Sequence, residues 1–362
     1  MRFYAFFIAA HLLLASITYM YLYLTCSWSR TKPFLLLYVL FTLNMGLSRI
    51  LSPSCPAFVV KASAWLSGLG LAFTYYVFLL TLLHLGIYLL SKILGFSWHQ
   101  GRFAQAALGC LLLLLAWGTW RAFHPTLRTE SIASTKLVSP SHYRIIMLSD
   151  LHLGRILGRS YAETLVERVN AQQPDLIIIA GDILDERRNY LEQENSLEAL
   201  AGLKARCGTY VAFGNHDYLD RPQLWQEQLE KANLHVLRDS EVIIDGKLKI
   251  TGLNDWSRNR NNGLPAALGT NNASYYSILV DHQPRRMEAA AQAGYDLYLS
   301  GHTHTGQLFP NRLITRHMYA LDYGITTCGQ LTAITSSGYG FWGPPVRTEA
   351  PPELILIELH NS

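Results

Sequence analysis

The sequence predicts a chain in two parts: an N-terminal domain of four transmembrane helices, followed by a larger α/β domain. Three observations support this fold class. The first 129 residues contain no Asp or Glu, whereas the rest of the chain has the charge density of a soluble protein. Four apolar segments of roughly 20 residues lie in the N-terminal part. From about residue 143, short β-branched runs alternate with polar helical stretches, as in α/β domains.

Four segments are apolar over nearly their whole length: about 3–25, 34–52, 65–91 and 104–120. Each can cross a hydrocarbon core of about 30 Å. Tryptophans lie near their ends, as an aromatic belt requires: Trp28, Trp65, Trp98, Trp117 and Trp120. We expect residues 1–122 to form an uncleaved membrane domain, since the first segment is long for a signal peptide and lacks a small-residue cleavage site. His11 and His84 lie inside these segments. Each could form a hydrogen bond to a neighbouring helix or have a functional role, and the sequence leaves both interpretations open.

The two parts differ in net charge. Residues 1–129 carry nine basic side chains, whereas the rest of the chain has 21 basic and 26 acidic residues. A basic membrane domain suits anionic lipids, so membrane lipids are expected partners. A net negative soluble part without a basic groove argues against nucleic acid as partner or substrate. The basic residues in the loops favour a cytoplasmic α/β domain only slightly.

Five apolar runs of the second part end in residues that commonly bind metals. These ends are Asp150 and His152; Asp182 and Asp185; Asn215, His216 and Asp217; Asp281 and His282; and His302 and His304. Ligands of open α/β sheets bind beyond the carboxyl ends of strands, so we expect these residues to converge at one edge. Glycines at 154, 181, 214 and 301 fit sharp exits there. The preceding segment, 123–142, contains prolines and hydroxyl residues and is predicted to be a linker.

These residues resemble the motifs of the calcineurin-like metallophosphoesterases, and the chain is similar to their membrane-anchored bacterial members. The motifs are Asp150-Leu-His152, Gly181-Asp182-Ile-Leu-Asp185, Gly214-Asn215-His216-Asp217, His282 and Gly301-His302-Thr-His304. The resemblance implies that residues 143–362 form a four-layer αββα sandwich. It also implies a location in the bacterial inner membrane, with the side of the catalytic domain open.

The resemblance further implies a site for two divalent metal ions. The ligands of one ion would be Asp150, His152 and His304. The ligands of the other would be Asn215, His282 and His302, with Asp182 bridging both ions. His216 would be the general acid near the leaving group, oriented by Asp185. For Asp185 and Asp217, a helix cap or a solvated carboxylate is the open alternative.

The donor types agree with this assignment independently. Two carboxylates, four imidazoles and one amide contain no thiolate, and the five cysteines include no CxxC pair. This set favours Mn²⁺, with Fe or Zn²⁺ as alternatives, over Cu(I) or an iron–sulfur cluster. Two cations about 3.5–4 Å apart would hold a bridging hydroxide and clamp a phosphoryl oxygen for in-line attack. The acid role requires a protonated His216, and adjacent carboxylates raise its pKa.

Four further residues are predicted to bind substrate. Arg155, Trp342 and Arg347 lie near the motifs or in the Gly/Pro-rich loop near the end of the chain, where cationic groups could hold a phosphate. Thr305 stands where many close relatives have glycine. A β-branched residue there demands a negative φ, so we expect the loop to follow a different path, or the hydroxyl to face the phosphate.

Together these features predict a membrane-anchored two-metal hydrolase. It would cleave a phosphodiester or pyrophosphate bond in an amphiphilic or lipid-linked substrate. Two alternatives stay open: a broad-specificity phosphodiesterase or phosphatase of soluble substrates, and a membrane scaffold that binds metal without turnover. The sequence does not indicate an oligomeric state.

Overall fold

The computed structural model describes residues 2–50, 55–137, 142–185, 195–219, 221–258, 260–269 and 274–362; for 2–8 and 45–50 it describes the backbone only. The chain divides into two compact units. The first unit contains Met1–Trp120 and Gly343–Val346, and the second contains Arg121–Trp342 and Arg347–Ser362.

The N-terminal part contains one helix for each predicted apolar segment. These helices are α1 (Arg2–Thr25), α2 (Lys32–Ile50), α3 (Ala57–Leu94) and α4 (Gln100–Ala122). Helix α3 ends at Gly95, whose φ of 71° is the left-handed C-cap conformation that glycine adopts without strain. His84 Nδ1 lies 3.3 Å from the Tyr21 hydroxyl of α1, so this histidine bonds to a neighbouring helix. Large apolar side chains such as Leu83 and Leu113 are exposed on these helices, as lipid-facing positions would be.

The prediction of four membrane spans was wrong in its count. Within the described residues, only α3 and α4 are long and apolar enough to cross a membrane. The described apolar parts of α1 and α2 are Ala9–Thr25 and Lys32–Asn44. Residues 51 and 52 of the second predicted span lie outside the described residues. So do the side chains of residues 3–8 in the first predicted span and of 45–50 in the second.

The second unit is an α/β domain built on two mixed six-stranded sheets. Its strands are β1 (Thr126–Ser134), β2 (His142–Leu148), β3 (Leu176–Ala180), β4 (Thr209–Ala212), β5 (Leu234–Leu237), β6 (Ser240–Ile244), β7 (Leu248–Gly252), β8 (Tyr276–Val280), β9 (Leu297–Ser300), β10 (Gly324–Cys328), β11 (Leu331–Thr335) and β12 (Glu353–Asn361). The first sheet has the order β1-β12-β2-β3-β4-β5, and the second has β10-β11-β9-β8-β7-β6. Strands β2 to β5 are parallel to one another, as are β7, β8, β9 and β11.

Apolar side chains fill both faces of these sheets. The helices of this unit are α5 (Arg159–Asn170), α6 (Ser196–Leu200), α7 (Pro222–Lys231), α8 (Met287–Gln292) and α9 (Arg312–Met318). One core lies between the sheets and includes Ile145 and Ile278. A second joins the first sheet to helices through residues such as Leu165 of α5, and a third joins the second sheet to Ala290 of α8. A parallel strand that is covered on both faces has a continuous apolar sequence. Strand β3 is an example, because all of its residues are buried.

The segment predicted as a linker, 123–142, contains strand β1. This strand pairs in parallel with β12, from Thr126 opposite Glu353 to Ser134 opposite Asn361. Of its nine residues only Ile132 is buried. An edge strand with so few buried positions lacks the apolar run by which the other strands were predicted.

Candidate metal centre

The first group of donors lies at the carboxyl end of β2 and beyond β9. Asp150, His152 and His304 place their ligand atoms within 4.8 Å of one another. His152 Nε2 is 3.0 Å from His304 Nε2, and Asp150 Oδ1 is 3.5 Å from the same nitrogen. All three side chains are buried. They can therefore hold one cation.

The second group lies at the carboxyl ends of β3, β8 and β9. Asp182 Oδ2 is 3.1 Å from His282 Nε2, which is 3.2 Å from His302 Nδ1. The same Asp182 oxygen is 3.9 Å from His152 Nε2 of the first group. Asp182 therefore lies between the two groups, where a bridging carboxylate would be required.

Asn215 gives a direct test of whether these residues fit metal ions. Its Oδ1 is buried and has no hydrogen-bond partner within the described residues. A buried carbonyl oxygen without a partner costs about 1–3 kcal/mol, so a cation at this position would satisfy it. The donor set of oxygen and imidazole nitrogen matches divalent metals. The residues present fit divalent metal ions.

Backbone strain marks the same residues. Five of the seven predicted ligands have a positive φ: Asp150 (54°), His152 (46°), Asp182 (54°), His302 (72°) and His304 (47°). Non-glycine residues rarely adopt this left-handed region, and such strain persists mainly at functional sites. The fold therefore holds these side chains in positions that the backbone alone would not favour.

Glycines allow the ligand loops to approach one another. A Cβ at Gly181 would lie 2.6 Å from His282 Nδ1, and Gly181 has a φ of 83°. A Cβ at Gly214 would overlap the Asp182 carboxylate, and one at Gly301 would overlap that of Asp150. These three glycines occupy the sharp exits that the sequence predicted.

The pKa values of most of the histidines favour the metal-binding form. Burial lowers the pKa of His152 and His304. Burial and the adjacent His282 lower the pKa of His302 to about 3. Neutral imidazole is the form that binds a metal, so these three side chains need not lose a proton first. In His282 burial lowers the pKa, but the charge and hydrogen bond of Asp182, together with the charges of Asp150 and Asp255, raise it above its ordinary value.

His216 has the opposite electrostatic environment. Its Nδ1 lies 2.6 Å from Asp185 Oδ1, and its ring centroid is 4.9 Å from that of His152. Burial lowers the pKa of His216, but the charge of Asp182 and the hydrogen bond to Asp185 outweigh it and raise the pKa to about 9. The imidazole is therefore protonated at neutral pH, beside the first donor group, as a general acid must be.

Asp217 has a structural position that sequence reasoning left open. It is fully buried, and its carboxylate accepts hydrogen bonds from four backbone N–H groups. The donors are those of Asp182, Ile183, Leu184 and Gly214, at 2.8–3.2 Å. Asp217 thus joins the loops that follow β3 and β4, and it neither caps a long helix nor faces solvent. Its place in the GNHD motif was the only sequence signal.

The four residues predicted to bind substrate have different environments. Trp342 is 42% exposed, and its ring centroid lies 5.8 Å from that of His216. Arg155 is partly buried in the turn that Gly154 closes with Leu157. Arg347 is fully buried and bonds to main-chain carbonyls, so its location favours support of the site over direct contact with substrate.

Arg347 lies beneath the first donor group. Its Nη2 is 2.9 Å from His304 Nδ1 and also donates to the carbonyl of Gly340. Its Nη1 donates to the Ser337 carbonyl at 2.7 Å. The guanidinium therefore connects the loop before β12 to a predicted metal ligand.

The expectation of a negative φ at Thr305 was wrong. Thr305 has a φ of 53° and a ψ of 35°, the conformation usual for glycine. Its backbone N–H donates to Thr303 Oγ1 at 3.1 Å, and Thr303 Oγ1 donates to the Asp322 carbonyl at 2.6 Å. This local network holds the strained backbone in place. Thr305 is fully buried, and its hydroxyl has no partner within the described residues.

Gln307 was not singled out from the sequence, although it ends the same loop. Its side chain donates to the Trp342 carbonyl and accepts from the Trp342 N–H, both at 3.0 Å. It therefore fixes the backbone that presents the Trp342 ring beside His216. A glutamine three residues after His304 is an unspecific signal on its own.

Comparison with known proteins agrees with this geometry. Residues 143–306 match the family model of the calcineurin-like phosphoesterases. The chain is 34% identical to an uncharacterized metallophosphoesterase of Helicobacter pylori over 70% of each chain, and 32% identical to one of Campylobacter jejuni over 69% of this chain and 68% of the relative. It is also 30% identical to a transmembrane protein with metallophosphoesterase domain of Danio rerio, over 73% of this chain and 64% of that protein. The chain belongs to the calcineurin-like phosphoesterase family.

Proposed function

We propose that the protein is a membrane-anchored hydrolase that uses two divalent ions to cleave a phosphodiester or pyrophosphate bond in an amphiphilic, lipid-linked substrate. The observation that carries this proposal is the pair of donor groups on either side of Asp182. Asp150, His152 and His304 would hold one ion. Asn215, His282 and His302 would hold the other. Mn²⁺ is the proposed metal, with Fe or Zn²⁺ as alternatives.

The residues of the chain supply the remaining chemistry. Bound divalent ions provide Lewis-acid charge and an activated water for attack on phosphorus. His216 delivers a proton to the leaving oxygen, and Asp185 orients its ring through the bond to Nδ1. The exposed face of Trp342, beside His216, offers an apolar contact for the leaving group.

A lipid-linked substrate is supported by the N-terminal part. Helices α3 and α4 indicate membrane association, and residues 1–129 carry basic but no acidic side chains. Such a region attracts anionic lipids and keeps the catalytic domain near their headgroups. Relatives with transmembrane in their names support the same location. We propose the bacterial inner membrane as its location; the basic residues in the loops slightly favour the cytoplasmic side for the catalytic domain.

Metal-dependent turnover is the first test. Full-length protein in detergent is loaded with Mn²⁺, and hydrolysis of bis(p-nitrophenyl) phosphate is followed together with metal content by mass spectrometry. We expect two bound ions and activity that a chelator abolishes. His216→Gln should retain both ions and lose about 10²–10⁴-fold in kcat. Full metal content without hydrolysis of any phosphoester would favour the scaffold alternative.

Matched substrates test the lipid assignment. CDP-diacylglycerol and CDP-glycerol carry the same diphosphate with and without acyl chains. We expect kcat/KM to be at least about 10-fold higher for the lipid, a difference of about 1.4 kcal/mol in transition-state binding. Equal values would contradict a lipid-linked substrate and favour a broad-specificity enzyme for soluble phosphoesters.

A further inference from the structure

Two consecutive arginines follow strand β8, and their environments differ. Arg286 is buried; its Nη2 lies 3.6 Å from Asp281 and donates to the Asn254 carbonyl. Arg285 is only partly buried and forms no ion pair within the part of the chain that the structure describes. Arg286 is thus a neutralised structural cation, whereas the charge of Arg285 has no carboxylate partner among the described residues.

Arg285 is nevertheless held in place. Its guanidinium carbon lies 4.5 Å from the centre of the Trp256 ring and 4.6 Å from that of Tyr319. Its Nε donates to Gln283 Oε1 and its Nη2 to the Tyr319 hydroxyl, both at 3.2 Å. Gln283 is oriented in turn by two bonds of 3.1 Å to Asp255. These contacts fix the guanidinium, and its Nη1 makes no hydrogen bond within the described residues.

This cation lies beside the second donor group. The ring of Tyr319 packs edge-on against that of His302, with centroids 5.9 Å apart. Trp256 follows β7, Arg285 follows β8 and His302 follows β9, so all three come from the carboxyl ends of neighbouring parallel strands. His216, the proposed acid, packs instead against His152 of the first donor group. Arg285 therefore neighbours the second donor group, and the proposed acid His216 neighbours the first.

We propose that Arg285, with Trp256 and Tyr319, forms a second anion subsite that binds a phosphate carried by the non-leaving part of the substrate. This inference rests on the proposed function of the donor groups as a hydrolytic site. A guanidinium offers donors in a planar fork that matches phosphate oxygens. Stacking on aromatic rings keeps the fork oriented while its free edge faces solvent or ligand. A substrate with one phosphate beyond the scissile group would use both sites.

Binding is the first test, because it does not depend on turnover. Thymidine 3′,5′-bisphosphate and thymidine 5′-phosphate differ by one phosphate, and their affinities for the full-length Mn²⁺-loaded protein can be measured by titration calorimetry. We expect the bisphosphate to bind about 10- to 100-fold more tightly. Arg285→Gln should remove this advantage and leave thymidine 5′-phosphate unchanged within about 2-fold. Equal affinity ratios in both proteins would overturn the subsite.

Kinetics with a common leaving group provide the second readout. The p-nitrophenyl ester of thymidine 5′-phosphate is compared with and without a 3′-phosphate. Arg285→Gln should raise KM for the 3′-phosphorylated ester about 10- to 100-fold with little change in kcat, and Arg285→Lys should give an intermediate KM because lysine lacks the planar fork. Hydrolysis of the unphosphorylated ester confirms that each variant is folded. Identical KM changes for both esters would contradict a specific subsite.

A matched control is available at the opposite end of the strands. Arg206 also packs over a tyrosine: its guanidinium carbon lies 5.9 Å from the centre of the Tyr143 ring. Unlike Arg285, it forms an ion pair, with Asp245 at 2.9 Å. Arg206→Gln should leave unchanged both the affinity ratio of the two thymidine phosphates and the KM ratio of the two esters. If the wild-type protein hydrolyses neither these esters nor bis(p-nitrophenyl) phosphate and CDP-diacylglycerol, the proposed function fails; if it hydrolyses both esters and Arg285→Gln alters no ratio, only the subsite fails.

The source of the second phosphate is resolved by competition. Short-chain phosphatidic acid and glycerol 3-phosphate present the same phosphomonoester with and without acyl chains. Inhibition that Arg285→Gln relieves supports the subsite, and the stronger inhibitor identifies a lipid headgroup or a soluble phosphate as its source. Inhibition by both compounds that the substitution leaves unchanged counts against the subsite.

Discussion

His216 illustrates how two neighbours determine the chemistry of one side chain. Asp185 bonds to its Nδ1, and Asp182 accepts its backbone N–H at 2.8 Å. Both carboxylates favour the imidazolium and outweigh burial, which raises the pKa of His216 to about 9. The acid is thus present below this pH and is lost as the pH rises through it.

Asp185→Asn should therefore change the pH dependence of hydrolysis. Removing one negative charge and its bond lowers the pKa of His216, so less imidazolium remains at alkaline pH. We expect the alkaline limb of the kcat/KM profile to move to lower pH, with kcat reduced about 10-fold at neutral pH. The measurement is a profile from pH 6 to pH 10 with bis(p-nitrophenyl) phosphate. An unshifted limb would show that Asp185 does not act through His216.

Thr305 shows why a single residue can mislead a prediction from sequence. Steric preference predicts a negative φ for a β-branched residue, yet the bonds through Thr303 hold it at 53°. Thr305→Gly should be more stable than Thr305→Ala by roughly 0.5–1 kcal/mol, because only glycine relieves the left-handed strain. Both variants lose the hydroxyl, so their thermal midpoints isolate the backbone effect. A more stable alanine variant would contradict the positive φ.

Asp217 acts at the scale of elements, because it joins two loops. Each of its two oxygens accepts two backbone N–H groups. Three of the four donors lie in the turn after β3, and the fourth is Gly214 after β4. In Asp217→Asn the amide NH₂ would face N–H donors and leave two of them unsatisfied. We expect a loss of about 2–4 kcal/mol in the free energy of unfolding.

The Asp217→Asn prediction is checked by thermal unfolding and metal content. A lower midpoint should be accompanied by weaker metal binding, since Asp182 and Asn215 lie on the two loops that Asp217 holds. Glu163→Gln is the control, because Glu163 is an exposed partner of Arg159 on α5 and such pairs contribute little. If the two variants unfold alike, Asp217 has no bracing role.

The strand ends were the most predictable elements of this fold. Buried parallel strands leave long apolar runs in sequence, and the residues after β2, β3, β4, β8 and β9 were predicted to converge, as they do. Strand β1 was missed because its one buried residue, Ile132, leaves no such run. The cation–π contacts of Arg285 with its aromatic neighbours were also missed, because Trp256 and Tyr319 are far from it in sequence and meet it only in the folded chain.

At the scale of the whole molecule, composition separated the chain correctly into an apolar basic part and an α/β part. It overestimated the number of membrane spans, because within the described residues only two helices are both long and apolar enough to cross. Helix α3, with 38 residues, and α4, with 23, exceed the length of roughly 20 that a crossing requires. Within the described residues, no other helix of the N-terminal part meets both the length and the hydropathy that a crossing requires.

Natural cysteines allow this count to be tested. If α3 and α4 each cross once, Cys55 before α3 and Cys328 in the second unit lie on one side of the membrane, and the turn at Ser97 lies on the other. Cys328 is a better reporter than Cys207, since burial raises the pKa of the Cys207 thiol to about 11 and leaves little reactive thiolate.

Labelling with a membrane-impermeant maleimide then distinguishes two spans from four. Single-cysteine proteins carrying Cys55, Cys328, Ser27→Cys or Ser97→Cys are compared in sealed vesicles of one orientation; Ser27 and Ser97 are exposed. With two spans, Ser27→Cys is labelled in sealed vesicles together with Cys55 and Cys328, and Ser97→Cys is labelled only after the vesicles are opened. In vesicles of the opposite orientation, Ser97→Cys is labelled first and the other three only after opening. With four spans, α1 and α2 would also cross the membrane. The loop between them, which carries Ser27→Cys, would then lie on the same side as Ser97→Cys. We expect the two-span pattern, since within the described residues only α3 and α4 are both long and apolar enough to cross a membrane.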